Sequence, residues 1–130
     1  MIHIFDGAMG TMLQEGGLKA GGCPELMNIE QPDVVRKIHE AYIEAGATMI
    51  ETNTFGASAL KLDHYGLEDR VAEINEAAVR LALEASRGRA KIVGSLGPTG
   101  RFIVPLGDLE FEDAYQSFYE QAKALADAGA

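Results

Sequence analysis

Ala45-Gly46-Ala47-Thr48-Met49-Ile50-Glu51-Thr52-Asn53-Thr54-Phe55-Gly56 carries a helix end, a strand and a loop in one short stretch. Gly46 reads as a helix C-cap, because glycine adopts the left-handed backbone of a closing turn without steric cost. Thr48 to Thr52 reads as a short strand, and Asn53 to Gly56 as the turn that leaves it. The same grammar recurs on both sides. Upstream, Ile2 to Phe5 is a strand candidate followed by Asp6-Gly7-Ala8-Met9-Gly10. Downstream, Lys91 to Ser95 is followed by Leu96-Gly97-Pro98-Thr99-Gly100.

Longer stretches with a helical period separate these runs. After Pro32, which suits a first helical turn, Val34, Val35, Ile38, Ala41, Tyr42 and Ala45 share a face. A second helix starts near Glu68-Asp69, shows Val71, Ile74, Ala78, Leu81 and Ala85, and closes at Gly88. A third starts near Asp108, an expected N-cap, and shows Phe111, Ala114, Phe118, Ala122 and Leu125. A short extra helix is expected near Thr11 to Gln14. Strands separated by such helices run parallel, so the fold class is α/β. Ala128-Gly129-Ala130 repeats the helix end of Ala45-Gly46-Ala47, after which a strand is due. The expectation is therefore a portion of a larger repeating domain, stopping before its fourth strand; the alternative is a small three-layer domain that ends on its third helix.

Composition narrows the function classes. The 130 residues include 11 basic and 20 acidic side chains, a net charge of −9, which repels phosphate backbones and argues against nucleic acid. No apolar run approaches the roughly 20 residues that a membrane helix needs. The N-terminus reaches Asp6 too soon for a signal peptide. The single Cys23 excludes an internal disulfide and suits a reducing, cytoplasmic setting.

In parallel α/β folds ligands bind beyond the C-terminal ends of the strands. Those ends offer a carboxylate at Asp6, amide and hydroxyl groups at Asn53 and Thr54, and bare backbone around Gly97. This mixture suits a small zwitterion. Asp6 can accept from an ammonium group, and the N–H groups of Gly7 to Gly10 can hold a carboxylate. By periodicity alone, Asp6-Gly7 reads equally as a turn with a helix cap. Gly7 and Gly10 lack the third glycine of a dinucleotide fingerprint, and Gly97 to Gly100 lacks the Lys-Ser/Thr ending of a P-loop. Glu51 lies within a strand and must face a polar lumen or a partner. His3, His39 and His64 have no metal-ligand spacing and read as surface or packing residues, and Cys23 as a loop residue with no catalytic role.

Asp6-Gly7-Ala8-Met9-Gly10-Thr11 resembles the opening of homocysteine S-methyltransferase domains. The resemblance continues through Cys23-Pro24-Glu25-Leu26-Met27-Asn28, Gln31-Pro32-Asp33-Val34-Val35 and His39 to Ala47. It is most distinctive at Ile50-Glu51-Thr52-Asn53-Thr54-Phe55-Gly56-Ala57, and Tyr65-Gly66-Leu67-Glu68-Asp69 and Gly94 to Gly100 follow in order. Gly97 to Gly100 with Pro105-Leu106-Gly107 is most similar to the N-terminal modules of cobalamin-dependent methionine synthases.

The resemblance implies a (β/α)8 TIM barrel, of which this chain supplies about the first three βα units. It implies zinc-dependent methyl transfer to the thiolate of homocysteine, forming methionine. In the family three cysteines hold the zinc, which keeps the sulfur a thiolate. In cobalamin-dependent members the methyl donor is methylcobalamin on a separate module, in more distant members betaine or S-methylmethionine, and the resemblance leaves the choice open. Asp6 and Gly7 match the motif that contacts the amino-acid part of homocysteine, and Asn53 and Thr54 match the motif lining the mouth. Cys23 aligns with none of the zinc cysteines, so no metal ligand and no catalytic residue is expected here, and the fragment alone is expected to be inactive. The alternatives are a non-catalytic half-barrel or a small amino-acid-binding domain that requires a partner chain.

Overall fold

A computed structural model describes residues 1–130. In chain order the helices are α1 (Gly10–Glu15), α2 (Met27–Glu30), α3 (Pro32–Glu44), α4 (Ala59–Leu62), α5 (Val71–Ser86) and α6 (Phe111–Ala128). The strands are β1 (Met49–Glu51), between α3 and α4, and β2 (Lys91–Val93), between α5 and α6. β1 and β2 pair in parallel, with Met49 opposite Lys91, Ile50 opposite Ile92 and Glu51 opposite Val93. The class is α/β, as the alternation requires.

The Ile2 to Phe5 run is reduced to a single parallel bridge between Phe5 and Met49. It runs beside β1, with the Thr48 N–H donating to the Ile4 carbonyl at 2.8 Å and the Asp6 N–H to the Met49 carbonyl at 3.0 Å. Only Phe5 bridges to β1, so the segment falls short of a paired strand. It still delivers Asp6 beside the end of β1.

Alternation along β1 separates two environments. Ile50 is fully buried with Ile43, Ala47, Ala82 and Ala85, and Ile92 of β2 packs on the same cluster. Glu51 lies on the other face and is exposed. A second cluster joins Leu13 of α1 to Met27, Val35, Ile38 and Leu81. A third joins Cys23, Ala57, Leu62, Val71 and Ile74. α5 contributes to all three, and it packs against both α3 and α6. Its buried residues include Ala77, Ala78, Ala82 and Ala85, whose small side chains let the neighbouring elements approach.

The expected helix faces need correction. In α3 the buried residues are Val35, Ile38, His39 and Ile43, whereas Ala41 and Ala45 are exposed. In α6 they are Ala114, Ser117, Gln121, Ala124 and Leu125, while Ala122 is exposed and Phe111 is largely so. The cause in α6 is Gln121, which is drawn inward by bonds to the Thr54 carbonyl (2.7 Å) and the Asn75 side chain (3.2 Å). Asp108 does not cap α6. Its carboxylate pairs with Arg101 at 3.0 Å, and Glu110 takes the N-cap position without a side-chain bond.

Candidate functional site

The ends of the Phe5 segment, β1 and β2 open onto one cavity of about 400 Å3. Its lining includes Asp6, Gly7, Asn53 and Thr54, together with Glu25, Glu51 and Ser95. All four residues singled out from the sequence therefore border the same space.

Asp6 follows the bridge at Phe5, and its carboxylate accepts from the Glu51 N–H at 3.1 and 3.2 Å. That bond fixes the carboxylate at the strand end. Burial raises the Asp6 pKa; the Glu51 N–H opposes the rise, and the nearby Glu51 charge adds to it. A cation arriving here would relieve that penalty. Glu51 itself is oriented by the Ser95 hydroxyl, which donates to its Oε2 at 2.9 Å.

Gly7 forms the next part of the wall, and Ala8 follows it. The Tyr42 hydroxyl of α3 donates to the Ala8 carbonyl at 2.6 Å. A Cβ on Gly7 would lie 3.0 Å from the Tyr42 ring, so the absence of a side chain lets the ring support the loop. The N–H groups of Gly7, Ala8 and Met9 donate to no other group of the chain. They precede α1, whose N-cap residue Met9 provides no side-chain cap.

Asn53 and Thr54 are buried, and the Asn53 amide nitrogen and the Thr54 hydroxyl are bonded within the protein. The Asn53 amide donates to the Pro24 carbonyl (2.9 Å) and to Asn28 Oδ1 (3.1 Å). Thr54 Oγ1 lies 2.7 Å from Thr52 Oγ1 and donates to the Ser95 carbonyl at 2.7 Å. These two residues build part of the wall.

Sequence reasoning did not single out Glu25. Its side chain is buried, lines the cavity, and accepts from the Gly56 N–H at 2.6 Å. Only its place in the Cys23 to Asn28 motif pointed to it. Ser95 and Tyr42 were legible as a strand end and a helix face, without their roles at the site.

A zinc ion does not fit these residues. Three side chains of the metal-binding types do not gather anywhere. Cys23 is buried, and burial pushes its thiol up to about 11, so it stays protonated at neutral pH. No helix is long and apolar enough to cross a membrane.

Known proteins place this geometry in a family. Residues 3–130 match the family model described as homocysteine S-methyltransferase. The methionine synthase of Mycobacterium leprae (strain TN) is 33% identical over 141 residues, covering 99% of this chain and 12% of the relative. That of Mycobacterium tuberculosis (strain ATCC 25618 / H37Rv) is 34% identical with the same coverage. The chain thus spans only a small part of these relatives. Among solved structures, the homocysteine methyltransferase MmuM from Escherichia coli superposes with a TM-score of 0.83 in its metallated form. That match has 26% identity and covers 99% of this chain and 51% of MmuM. The oxidized form gives a TM-score of 0.81 at 26% identity, covering 99% and 50%. With its residues 3–130 matching the family model, the chain belongs to the homocysteine S-methyltransferase family.

Proposed function

We propose that these residues form the homocysteine-binding rim of a zinc-dependent methyltransferase of the methionine synthase type, whose product is methionine. The observation that carries the reading is Asp6 in one cavity with Gly7 and Met9, whose N–H groups, like that of the intervening Ala8, are unpaired. A carboxylate next to free N–H donors complements an amino acid, because the ammonium meets Asp6 and the carboxylate meets the N–H groups. Asn53 and Thr54 border the substrate and shape the wall behind it. In the reaction a bond forms between the substrate sulfur and the methyl carbon as the donor–methyl bond breaks, and the thiol proton is lost. The role of the present residues is to bind and orient the amino-acid end.

On this reading the chain is the N-terminal part of a homocysteine-binding domain and supplies about the first three βα units of a (β/α)8 barrel. The zinc ligands come from residues other than these, and the methyl donor is methylcobalamin or another donor carried on a separate module or bound as a small molecule. The 130 residues alone bind homocysteine without turning it over. A free thiol is compatible with the cytoplasm, where we place the protein.

The test follows the amide signals of Gly7 to Met9 during titration with L-homocysteine and with 4-mercaptobutanoate, which lacks the ammonium. L-homocysteine should bind more tightly by on the order of tenfold or more, a gap expected of one lost charge-assisted hydrogen bond. Asp6→Asn should close the gap. Because Asp6 has a raised pKa, homocysteine affinity should begin to fall, on acidification, at a higher pH than an ordinary carboxylate would give. Equal affinity for the two ligands would sink the reading.

A further inference from the structure

We propose that Glu25 is a positioning residue for this pocket: its buried carboxylate holds the Gly56 N–H and thereby fixes the Asn53–Gly56 loop that walls the site. The proposal rests on the homocysteine reading above.

The loop leaving β1 has few bonds of its own. Thr54 N–H donates to the Thr52 carbonyl at 2.9 Å, and Ala57 N–H to the Thr54 carbonyl at 3.0 Å. Its shape is imposed from outside. From α5, Asn75 donates to the Ala57 carbonyl at 2.9 Å, and from α6, Gln121 donates to the Thr54 carbonyl. From the β2 side, Gly97 N–H donates to the Phe55 carbonyl at 2.9 Å. From the pocket side, the segment before α2 grips both ends of the loop. Pro24 accepts from Asn53, and Glu25 Oε1 accepts from Gly56 at 2.6 Å.

Among these tethers only the Glu25 bond uses a carboxylate. It is also buried, with Glu25 5% exposed, where a hydrogen bond is stronger than in water. Glu25 has no basic partner; the salt bridges of the chain lie elsewhere. The approach is close: a Cβ at position 56 would lie 2.8 Å from Glu25 Oε1, so the carboxylate would have to shift to admit one. The Cys23 thiol contacts Glu25 Oε2 at 3.5 Å and orients the carboxylate from behind. A buried carboxylate without a counter-ion is costly to keep for stability alone. Its place at the cavity edge gives it a function in holding the wall.

The experiment uses the whole chain, L-homocysteine as the probe, and two variants. Glu25→Gln keeps an acceptor oxygen and removes the charge, whereas Glu25→Ala removes both. In the parent chain the Gly56 amide proton should resonate far downfield. It should move upfield in Glu25→Ala, with homocysteine affinity reduced on the order of tenfold or more. Glu25→Gln should recover most of that affinity and much of the downfield shift.

Unchanged affinity and an unchanged Gly56 signal in Glu25→Ala would overturn the proposal. So would a Glu25→Gln variant that keeps the Gly56 signal yet binds as poorly as Glu25→Ala, because the charge would then act on the substrate directly. Should Glu25→Ala fail to fold, Glu25→Asp, whose shorter side chain withdraws the acceptor, takes its place, and an unchanged Gly56 signal with unchanged affinity overturns the assignment. Failure of the parent chain to bind homocysteine is a different result. It removes the functional reading and leaves Glu25 a structural tether.

Discussion

His39 lies on α3 with its ring fully enclosed, and neither ring nitrogen has a hydrogen-bond partner. A neutral imidazole carries one donor and one acceptor, so both are unmet. Burial pushes its pKa down to about 4, whereas an unfolded histidine titrates near about 6.5. Between those values the unfolded chain binds the additional proton and the folded chain does not. Stability should therefore fall as pH drops from about 6.5 to about 4, by about 3 kcal/mol in total from this residue. Urea midpoints across that window measure the slope. His39→Leu should flatten it without destabilising the protein at neutral pH, because both unmet groups disappear together. The same slope in His39→Leu would rule out His39 as its origin. The residue scale is also where sequence reading divides. Asp6 and Gly7 were legible because a strand exit is a local pattern. Glu25 was not, because its partner Gly56 is 31 positions away and only the fold brings the two together.

Helix ends show the same division at the scale of elements. α3 and α6 close identically. Ala47 N–H donates to the Tyr42 carbonyl and Gly46 N–H to Ile43, while Ala130 N–H donates to Leu125 and Gly129 N–H to Ala126. Both glycines have φ of 109°, and the bonding is the Schellman pattern that Ala-Gly-Ala suggested. α5 ends differently. Gly88 was expected to close it, yet Arg87 takes the left-handed C-cap with φ of 48° and Gly88 follows. A side chain in that region is strained, and glycine is not. Arg87→Gly should raise stability by about 0.5–1 kcal/mol, the part of the strain left after the added flexibility of the unfolded chain. Thermal unfolding of the pair checks this, and a lower midpoint in the variant would show that the Arg87 side chain contributes more than its backbone costs. Helix existence was legible because the period is local. The buried faces of α3 and α6 were less so, because His39 and Gln121 turn inward where polarity predicts exposure.

At the scale of the whole molecule, the sheet is narrower than its helices require. Two strands and one bridged segment carry the packing of α3, α5 and α6. The accessible surface is 7419 Å2, against about 6,700 Å2 for a compact monomer of this mass. Part of the excess is apolar. Ile2 and Ile4 are exposed on the segment beside β1, as are Phe102 and Leu106 in the loop after β2. The segment and β2 each present an unpaired backbone edge, a template for another strand. A closed barrel has no such edges. The 130-residue chain should therefore self-associate as its concentration rises, with sedimentation coefficients increasing over the micromolar range. Ile4→Lys should weaken that association, since a lysine on an exposed edge opposes strand addition. It should leave α5 and its clusters intact, because Ile4 belongs to none of them. A concentration-independent monomer that unfolds in one sharp transition would show that the two strands and the bridged segment tolerate their open edges, and the expectation of self-association would fall with that result.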